Sequence, residues 1–208
     1  MRDLFRDRRR HRHVAAQHGE LTVASVGLDF QARDYRLSAD VGYQNHKLKQ
    51  VRPSVTVAAG VAIPVAPESD SNWAQKWTHS DERDTFGTLR GEVDLAKDVV
   101  AWAAAGVRSG DESNLLSAPT VNNVDGSGFM TRFDNNRHDS VRTGEVGVRG
   151  KLRTGSVGHS ISATVSGYWH EERNAYAFGD FGGFASNLYR PIDVAAPPAN
   201  ALIGAGRP

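Results

Sequence analysis

Apolar and polar side chains alternate with a period of two through most of the chain after residue 19. The clearest stretch is residues 35–44, where Tyr35, Leu37, Ala39, Val41 and Tyr43 alternate with Arg36, Ser38, Asp40, Gly42 and Gln44. Because successive side chains of a β-strand point to opposite faces, this pattern predicts a strand with one apolar face. Residues 22–30 repeat the pattern just before it, which predicts a tight hairpin through residues 31–34.

Two further hairpins follow the same design. Residues 84–94 pair with 99–108, and residues 145–153 pair with 160–170. The strand 99–108 is ambiguous, because either its odd-numbered residues or Val100, Trp102 and Ala104 face the apolar side; a polar position for Arg108 favours the first choice. The sequence thus predicts six strands in three hairpins.

The connections between the predicted strands are very unequal. Those within each hairpin are four or five residues long, whereas residues 45–83, 109–141 and 171–208 are predicted to be long connections. Long structureless connections are uncommon in compact soluble domains, but outer-membrane barrels combine short periplasmic turns with long extracellular loops.

Aromatic side chains mark both ends of the apolar faces. Phe30 and Tyr35 flank a short turn, and Tyr43 and Trp169 lie at the opposite ends of their strands. Tyr35 to Tyr43 spans ~26 Å of strand, or ~20 Å along the membrane normal, which suits the girdles of a transmembrane barrel. The predicted fold is all-β: an antiparallel transmembrane β-barrel segment that cannot close alone, since such barrels need at least ~8 strands. A soluble β-sandwich binding module, for carbohydrate binding or adhesion, is the alternative.

Composition and charge narrow the function classes. The 25 Lys and Arg nearly balance 24 Asp and Glu, so no nucleic-acid partner is expected for the chain as a whole. The absence of Cys excludes disulfides and thiolate catalysis. Residues 1–18 are rich in Arg and are predicted to be a disordered basic head, with nucleic-acid binding as its weaker interpretation. Residues 19–191 are assigned to the barrel part, and residues 192–208 are predicted to be a disordered tail rich in Pro, Ala and Gly.

Motifs for catalysis are missing, so the chain is not expected to be an enzyme. His11 and His13 lack a third metal ligand, and a solvated loop is preferred over a calcium site for Asp134, Asn136 and Asp139; no metal or cofactor is expected.

Large aromatic residues stand among polar neighbours in the predicted long connections. Trp73, Trp77 and Tyr176 are the candidate ligand contacts, because aromatic rings offer contact area at little entropic cost. Packing of one loop on another is the alternative interpretation for each of them.

Several runs of sequence resemble the barrel portion of TonB-dependent siderophore receptors, over about residues 19–191. They are Arg-Pro-Ser-Val-Thr at 52–56, Thr-Phe-Gly-Thr-Leu-Arg-Gly-Glu at 85–92, Ala-Trp-Ala-Ala at 101–104, Arg-Thr-Gly-Glu-Val-Gly-Val-Arg-Gly at 142–150 and Arg-Asn-Ala-Tyr at 173–176.

The resemblance implies an outer-membrane location and import of a ferric siderophore through a 22-stranded barrel with a plug domain, driven by the TonB complex. The expected partners are therefore a ferric siderophore, outer-membrane lipid and, through a plug, TonB. No signal peptide, TonB box, plug-like domain or terminal aromatic residue is visible, so the resemblance implies an internal piece of a receptor.

Overall fold

The computed structural model describes residues 14–200 and the backbone of residues 203–204. They form one sheet with the strands β1 His18–Gln31, β2 Tyr35–Lys49, β3 Thr56–Val57, β4 His79–Ala96, β5 Val99–Val121, β6 Ser127–Thr154, β7 Val157–Phe178, β8 Phe184–Asn187 and β9 Ile203–Gly204. The spatial order is β1, β2, β4, β5, β6, β7, β9, with β3 beside β5 and β8 beside β6. Among these described strands, β3 and β5 are the one parallel pair. Within residues 14–200, no helix is long and apolar enough to span a membrane.

Three short turns lie at one end of the sheet, which we call the short-turn end. They occupy residues 32–34, 97–98 and 155–156, as the sequence predicted. Asp98 and Gly155 have left-handed φ values of 66° and 61°, which tight hairpin turns require and which glycine and aspartate tolerate. The three predicted hairpins are thus confirmed.

One face of the sheet, the outer face, is an exposed apolar band. Cross-strand pairing places Val41 beside Gly87 and Val146 beside Val165, and both valines of the second pair are more than half exposed. On β5, Ala103 and Ala105 lie in the same cross-strand rows as Val146 and Leu89, which resolves the ambiguity of this strand in favour of its odd-numbered residues. An exposed apolar face of this extent requires an apolar environment.

Near the short-turn end, the charged side chains lie on the opposite face, the inner face. Arg36 pairs with Glu92, which pairs with Trp102, and Arg90 lies in the next row with Glu145. Charge and apolarity are therefore separated across the thickness of a single sheet, as the alternation predicted.

The prediction of long connections at the far end of the sheet is wrong for residues 109–141. β5 continues to Val121 and β6 begins at Ser127, so that only a five-residue turn separates them. The alternation that identifies a strand is lost beyond Ser109, because both faces of the hairpin carry polar residues there. A strand with two polar faces has no period-two signal, although its backbone pairing is complete.

Among the described strands, β1 and the two-residue β9 stand at the two ends of the order, and β9 pairs with β7 only at Ala175 and Tyr176, so that most of β7 is an open edge and the sheet does not close. Nothing within the described ranges supports the β-sandwich alternative, since no second sheet packs on this one. The small buried core lies at the far end, where Trp73, Val121 and Leu188 pack together with Val55. Residues 1–13 of the predicted disordered head lie outside the described residues.

The segment 192–200 was predicted to be disordered, yet it makes defined contacts with the loop before β4 and with β6. The side chain of Gln75 donates to the Ile192 carbonyl at 2.9 Å and accepts from the Val194 amide at 2.9 Å. Arg132 donates to the Pro197 carbonyl at 2.5 Å. Side chains of the far end thus satisfy backbone groups of a segment that has no regular structure of its own.

Candidate functional site

A network of ion pairs covers the inner face near the short-turn end. Glu92 accepts hydrogen bonds from Arg36 at 3.2 Å and from Arg149 at 2.9 Å, and its side chain is only 13% exposed. Arg36 also binds Asp94 at 2.7 Å, and Arg90 binds Glu145 at 2.9 Å. These ion pairs therefore join side chains of β2, β4 and β6, across the intervening strand β5.

Trp102 lies at the centre of this network. Its ring contacts the guanidiniums of Arg90 at 5.5 Å and Arg149 at 5.6 Å, and its indole N–H donates to Glu145 at 2.9 Å. The ring covers Gly147 so closely that a Cβ at this glycine would lie 2.3 Å from it. Sequence reasoning missed this site; the pairing of a tryptophan with a glycine on the neighbouring strand is the signal that could have found it.

Further along the inner face, the polar groups change from ion pairs to amides. Arg137 binds Glu112 at 2.5 Å, and beyond them the side-chain amides of Asn114, Asn135 and Asn174 are hydrogen-bonded in sequence across three strands. The Oδ1 atom of Asn114 and the Nε atom of Arg137 are buried without a hydrogen-bond partner in the described part of the chain. Such unsatisfied groups are open to a bound polar molecule or water.

An aromatic cluster ends the inner face at the far end. Phe178 contacts Phe133 at 5.2 Å, Phe181 at 5.4 Å and Tyr176 at 5.8 Å between ring centroids. Alternation along β7 places Tyr176 on the inner face, with Tyr168 and His170. The predicted contact Tyr176 is thus part of a half-buried aromatic surface above a column of amides.

Trp73 and Trp77 lie on the other side of the extended hairpin. Their segment contacts Met130, whose even number on β6 places it on the outer face. The indole of Trp73 is 9% exposed and donates to the Pro53 carbonyl at 2.9 Å, and that of Trp77 donates to the Val194 carbonyl at 3.1 Å. The structure does not bring these two residues together with Tyr176, and a ligand contact for any of the three stays a prediction.

Asp134 and Asp139 lie within β6, not in the loop that the sequence predicted. Asp134 binds Arg132 at 2.7 Å, and this hydrogen bond raises the pKa of Arg132. Asp139 is buried and pairs with Arg108. Both carboxylates are therefore neutralised by arginines, and no cluster of metal ligands occurs among the residues described. His11 and His13 lie outside them.

Comparison with solved structures identifies the architecture. The ferric preacinetobactin receptor BauA of Acinetobacter baumannii superposes with a TM-score of 0.81 at 24% identity, over 92% of this chain and 29% of that receptor. The fold is that of a siderophore-receptor barrel segment. The ferric-catecholate import receptor Fiu of Escherichia coli K12 (TM-score 0.68, 14% identity) matches this barrel segment over 93% of the chain and 30% of its own length. The ferripyoverdine receptor of the outer membrane of Pseudomonas aeruginosa superposes with a TM-score of 0.66 at 13% identity. The match covers 93% of this chain and 27% of that receptor.

Sequence comparison points in the same direction. The ferrichrome receptor FcuA of Yersinia enterocolitica is 29% identical over 177 residues, which are 85% of this chain. The barrel segment spans 23% of the length of that relative. No protein-family model matches the chain. The resemblance to TonB-dependent siderophore receptors is thus supported by both sequence and fold, and the all-β barrel-segment prediction is confirmed.

Proposed function

We propose that residues 19–191 are the barrel part of an outer-membrane receptor that binds and imports a ferric siderophore. The observation that carries this proposal is the separation of the two faces of one sheet, apolar outside and charged inside, in a chain 29% identical to a ferrichrome receptor. Relatives of this kind are receptors, which suggests that the chain is not an enzyme. A lipid-facing band and a polar lumen are what a transmembrane barrel needs.

The far end of the inner face is the proposed ligand surface. Aromatic rings at Phe133, Tyr176 and Phe178 would contact the organic shell of a siderophore, while the amides of Asn135 and Asn174 would bind its polar groups. Trp77 is partly exposed on the other side of the extended hairpin, so it would be a second candidate contact apart from this surface. Trp73 would act by holding its segment in place, because little of its ring is accessible.

Import would need a plug domain and energy from a TonB complex, both of which the resemblance implies. Location in the outer membrane belongs to the same proposal. In it, the short-turn end faces the periplasm and the far end faces the outside.

The proposal is tested by replacing the matching segment of the Yersinia ferrichrome receptor with residues 19–191. The chimera should reach the outer membrane and bind a ferric siderophore, and Tyr176→Ala should weaken binding by about tenfold, or about 1.4 kcal/mol. Tyr168→Ala is the matched control, since Tyr168 is 64% exposed on the same face and strand but nearer the short-turn end. Unchanged affinity in the variants Tyr176→Ala, Trp77→Ala and Trp73→Ala would remove the site assignment, and a chimera that inserts but binds no siderophore would refute the function.

A further inference from the structure

The far half of the inner face, from the row of Asp40 to the row of Tyr176, is acidic. Strand pairing places six carboxylates there against two guanidiniums, among the residues that the structure describes. With histidine counted as neutral, this leaves an excess of four negative charges. The carboxylates belong to Asp40, Glu82, Asp84, Glu112, Asp139 and Glu172.

Both guanidiniums of this half are already held by carboxylates. Arg108 binds Asp84 at 2.7 Å and also pairs with Asp139, which is buried. Arg137 binds Glu112 at 2.5 Å. An anion that approaches the far half of the inner face therefore finds its cations engaged by carboxylates.

Three carboxylates of the same half have no cation beside them in the described part of the chain. Asp40 accepts a hydrogen bond from the Thr88 hydroxyl at 3.4 Å. The side chains of Glu82 and Glu172 have neither a hydrogen bond nor an ion pair with any residue that the structure describes. Their negative charges are thus compensated only by solvent and by whatever binds this face.

Glu82 and Glu172 border the proposed ligand surface. Glu172 is two residues before Asn174 on β7, which is ~7 Å along the strand. Glu82 lies in the same cross-strand row as Asn174, and the next row towards the far end contains Asn135 and Tyr176. The surface itself is built from amides and aromatic rings, so the charges that a ligand meets there are these two carboxylates.

The other cations of the far half lie on the opposite face of the sheet. Alternation places Lys47 on β2 and Arg83 on β4 at outer-face positions, and Arg173 on β7 likewise. The inner face is therefore acidic because of how the charges are distributed between the two faces, and not because this part of the sequence lacks cations.

The charge of a ferric siderophore depends on its iron-binding groups. Hydroxamates carry one negative charge each, so that three of them neutralise Fe³⁺. Catecholates carry two negative charges each, so that a ferric tris-catecholate keeps three. Carboxylates next to a binding site repel the second kind of complex and leave the first nearly unaffected.

We propose that this wall binds a ferric complex without net negative charge, of the tris-hydroxamate class, and that Glu172 and Glu82 disfavour ferric tris-catecholates. The amides of Asn135 and Asn174 bind the polar groups of the neutral complex, and the ring of Tyr176 packs on its organic shell. The inference rests on the proposed function, whose ligand class it specifies.

The test uses the chimera with the Yersinia receptor and two ferric complexes built on one tripodal scaffold, with either three hydroxamate or three catecholate arms. Quenching of tryptophan fluorescence measures both dissociation constants. Because the Yersinia part is constant, a change in their ratio between variants comes from this segment. In water at physiological salt, a carboxylate ~7 Å from three negative charges changes the affinity by about threefold.

Glu172→Gln should therefore lower the dissociation constant of the tris-catecholate about threefold, and Glu82→Gln added to it should bring the change to about fivefold, since Glu82 is farther away. Glu172→Lys changes the charge twice as much and should give about tenfold. Binding of the tris-hydroxamate should be unchanged in all three variants. These gains should shrink at ~1 M salt, where the screening length is ~3 Å, which a merely structural effect would not do.

Glu171→Gln is the matched control. It removes the same charge from the neighbouring residue of the same strand but from the outer face, where Glu171 binds Arg173 at 2.8 Å. Both dissociation constants should stay nearly the same.

The outcomes separate this inference from the proposed function. An unchanged ratio in Glu172→Lys, or equal effects of Glu171→Gln and Glu172→Gln, would overturn the inference while siderophore binding by the chimera stands. A wild-type chimera that binds the tris-catecholate more tightly than the tris-hydroxamate would also overturn it. A chimera that binds neither complex would refute the proposed function, and the ligand class with it.

Discussion

Gly147→Ala should destabilise the barrel segment because of the indole that covers this position. A Cβ there would lie 2.3 Å from Cζ2 of Trp102, a distance that forces the ring to move. Overfilling a packed position costs about 1–3 kcal/mol. Displacement of the ring also weakens its hydrogen bond to the Glu145 carboxylate, and bonds to charged groups contribute about 1.5–3 kcal/mol.

These terms outweigh the usual advantage of alanine. Replacing glycine in a strand normally gains about 0.5–1 kcal/mol, because the unfolded chain loses freedom. The expected net effect of Gly147→Ala is a loss of about 2–3 kcal/mol in the free energy of unfolding. Gly144→Ala is the matched control on the same strand, since a Cβ at Gly144 meets only the Ala104 carbonyl oxygen, at 3.9 Å. It should be neutral or slightly stabilising.

The assay is urea unfolding of the full chain in lipid vesicles, followed by tryptophan fluorescence and extrapolated to water. A second pair of variants locates the cause: in a Trp102→Ala background the space above residue 147 is empty, so that Gly147→Ala should cost nothing further. A cost that persists without the indole would show that the backbone at Gly147 is responsible, and equal effects at Gly147 and Gly144 would refute the reasoning.

Three other outcomes are expected. Val165→Arg, on the outer face, should lower the free energy of unfolding in vesicles by about 2–4 kcal/mol, whereas Thr164→Arg, on the inner face, should lower it little. Equilibrium unfolding measures both changes. A larger loss in Thr164→Arg would mean that the faces are misassigned. Gln75→Ala should speed amide exchange at Val194 by more than tenfold, because it removes the acceptor of the Val194 amide. Lys76→Ala, at an exposed ion pair, should leave this exchange rate nearly unchanged. Equal rates in the two variants would show that Gln75 does not protect the Val194 amide. The hydroxyl and amide of Ser127 donate hydrogen bonds to the Asp125 carboxylate and lower its pKa. The turn should therefore be stable above the usual aspartate range and loosen as the pH falls through the lowered pKa, which amide exchange at Ser127 would measure. Exchange at Ser127 that is insensitive to acid in the wild type, or still acid-sensitive in Asp125→Asn, would contradict this.

The sequence predicts the part of the fold that carries the apolar band well and the far end poorly. Period two identified the strands wherever one face is apolar, as from Tyr35 to Tyr43, because the apolar outer face and the charged inner face require different side chains at successive residues. Beyond Ser109 the demands on the two faces become alike, and the signal disappears while the strands continue to Val121. Turn chemistry located the short-turn end because its constraints are local, as at Gly155.

The candidate site was only partly predictable for a related reason. Tyr176 was found as an aromatic residue in polar sequence, and its face follows from the register once β7 is known to continue to Phe178. The placement of Trp73 behind the hairpin depends on long-range contacts with Val121 and Leu188, which leave no periodic pattern in the sequence. The Trp102 network likewise depends on strand pairing, because Gly147 and Trp102 are neighbours only across the sheet.

The ion pairs around Trp102 have a consequence for what can pass along the inner face. Three guanidiniums and three carboxylates take part, contributed by Arg36, Arg90, Arg149, Glu92, Asp94 and Glu145, so their charges cancel within the wall. A solute near this wall meets closely spaced dipoles whose field decays over a few ångströms, and not a one-signed potential. Such a surface neither concentrates nor repels ions, and it discriminates by size and hydrogen bonding. Passage along it should therefore depend little on ionic strength, even for a highly charged solute.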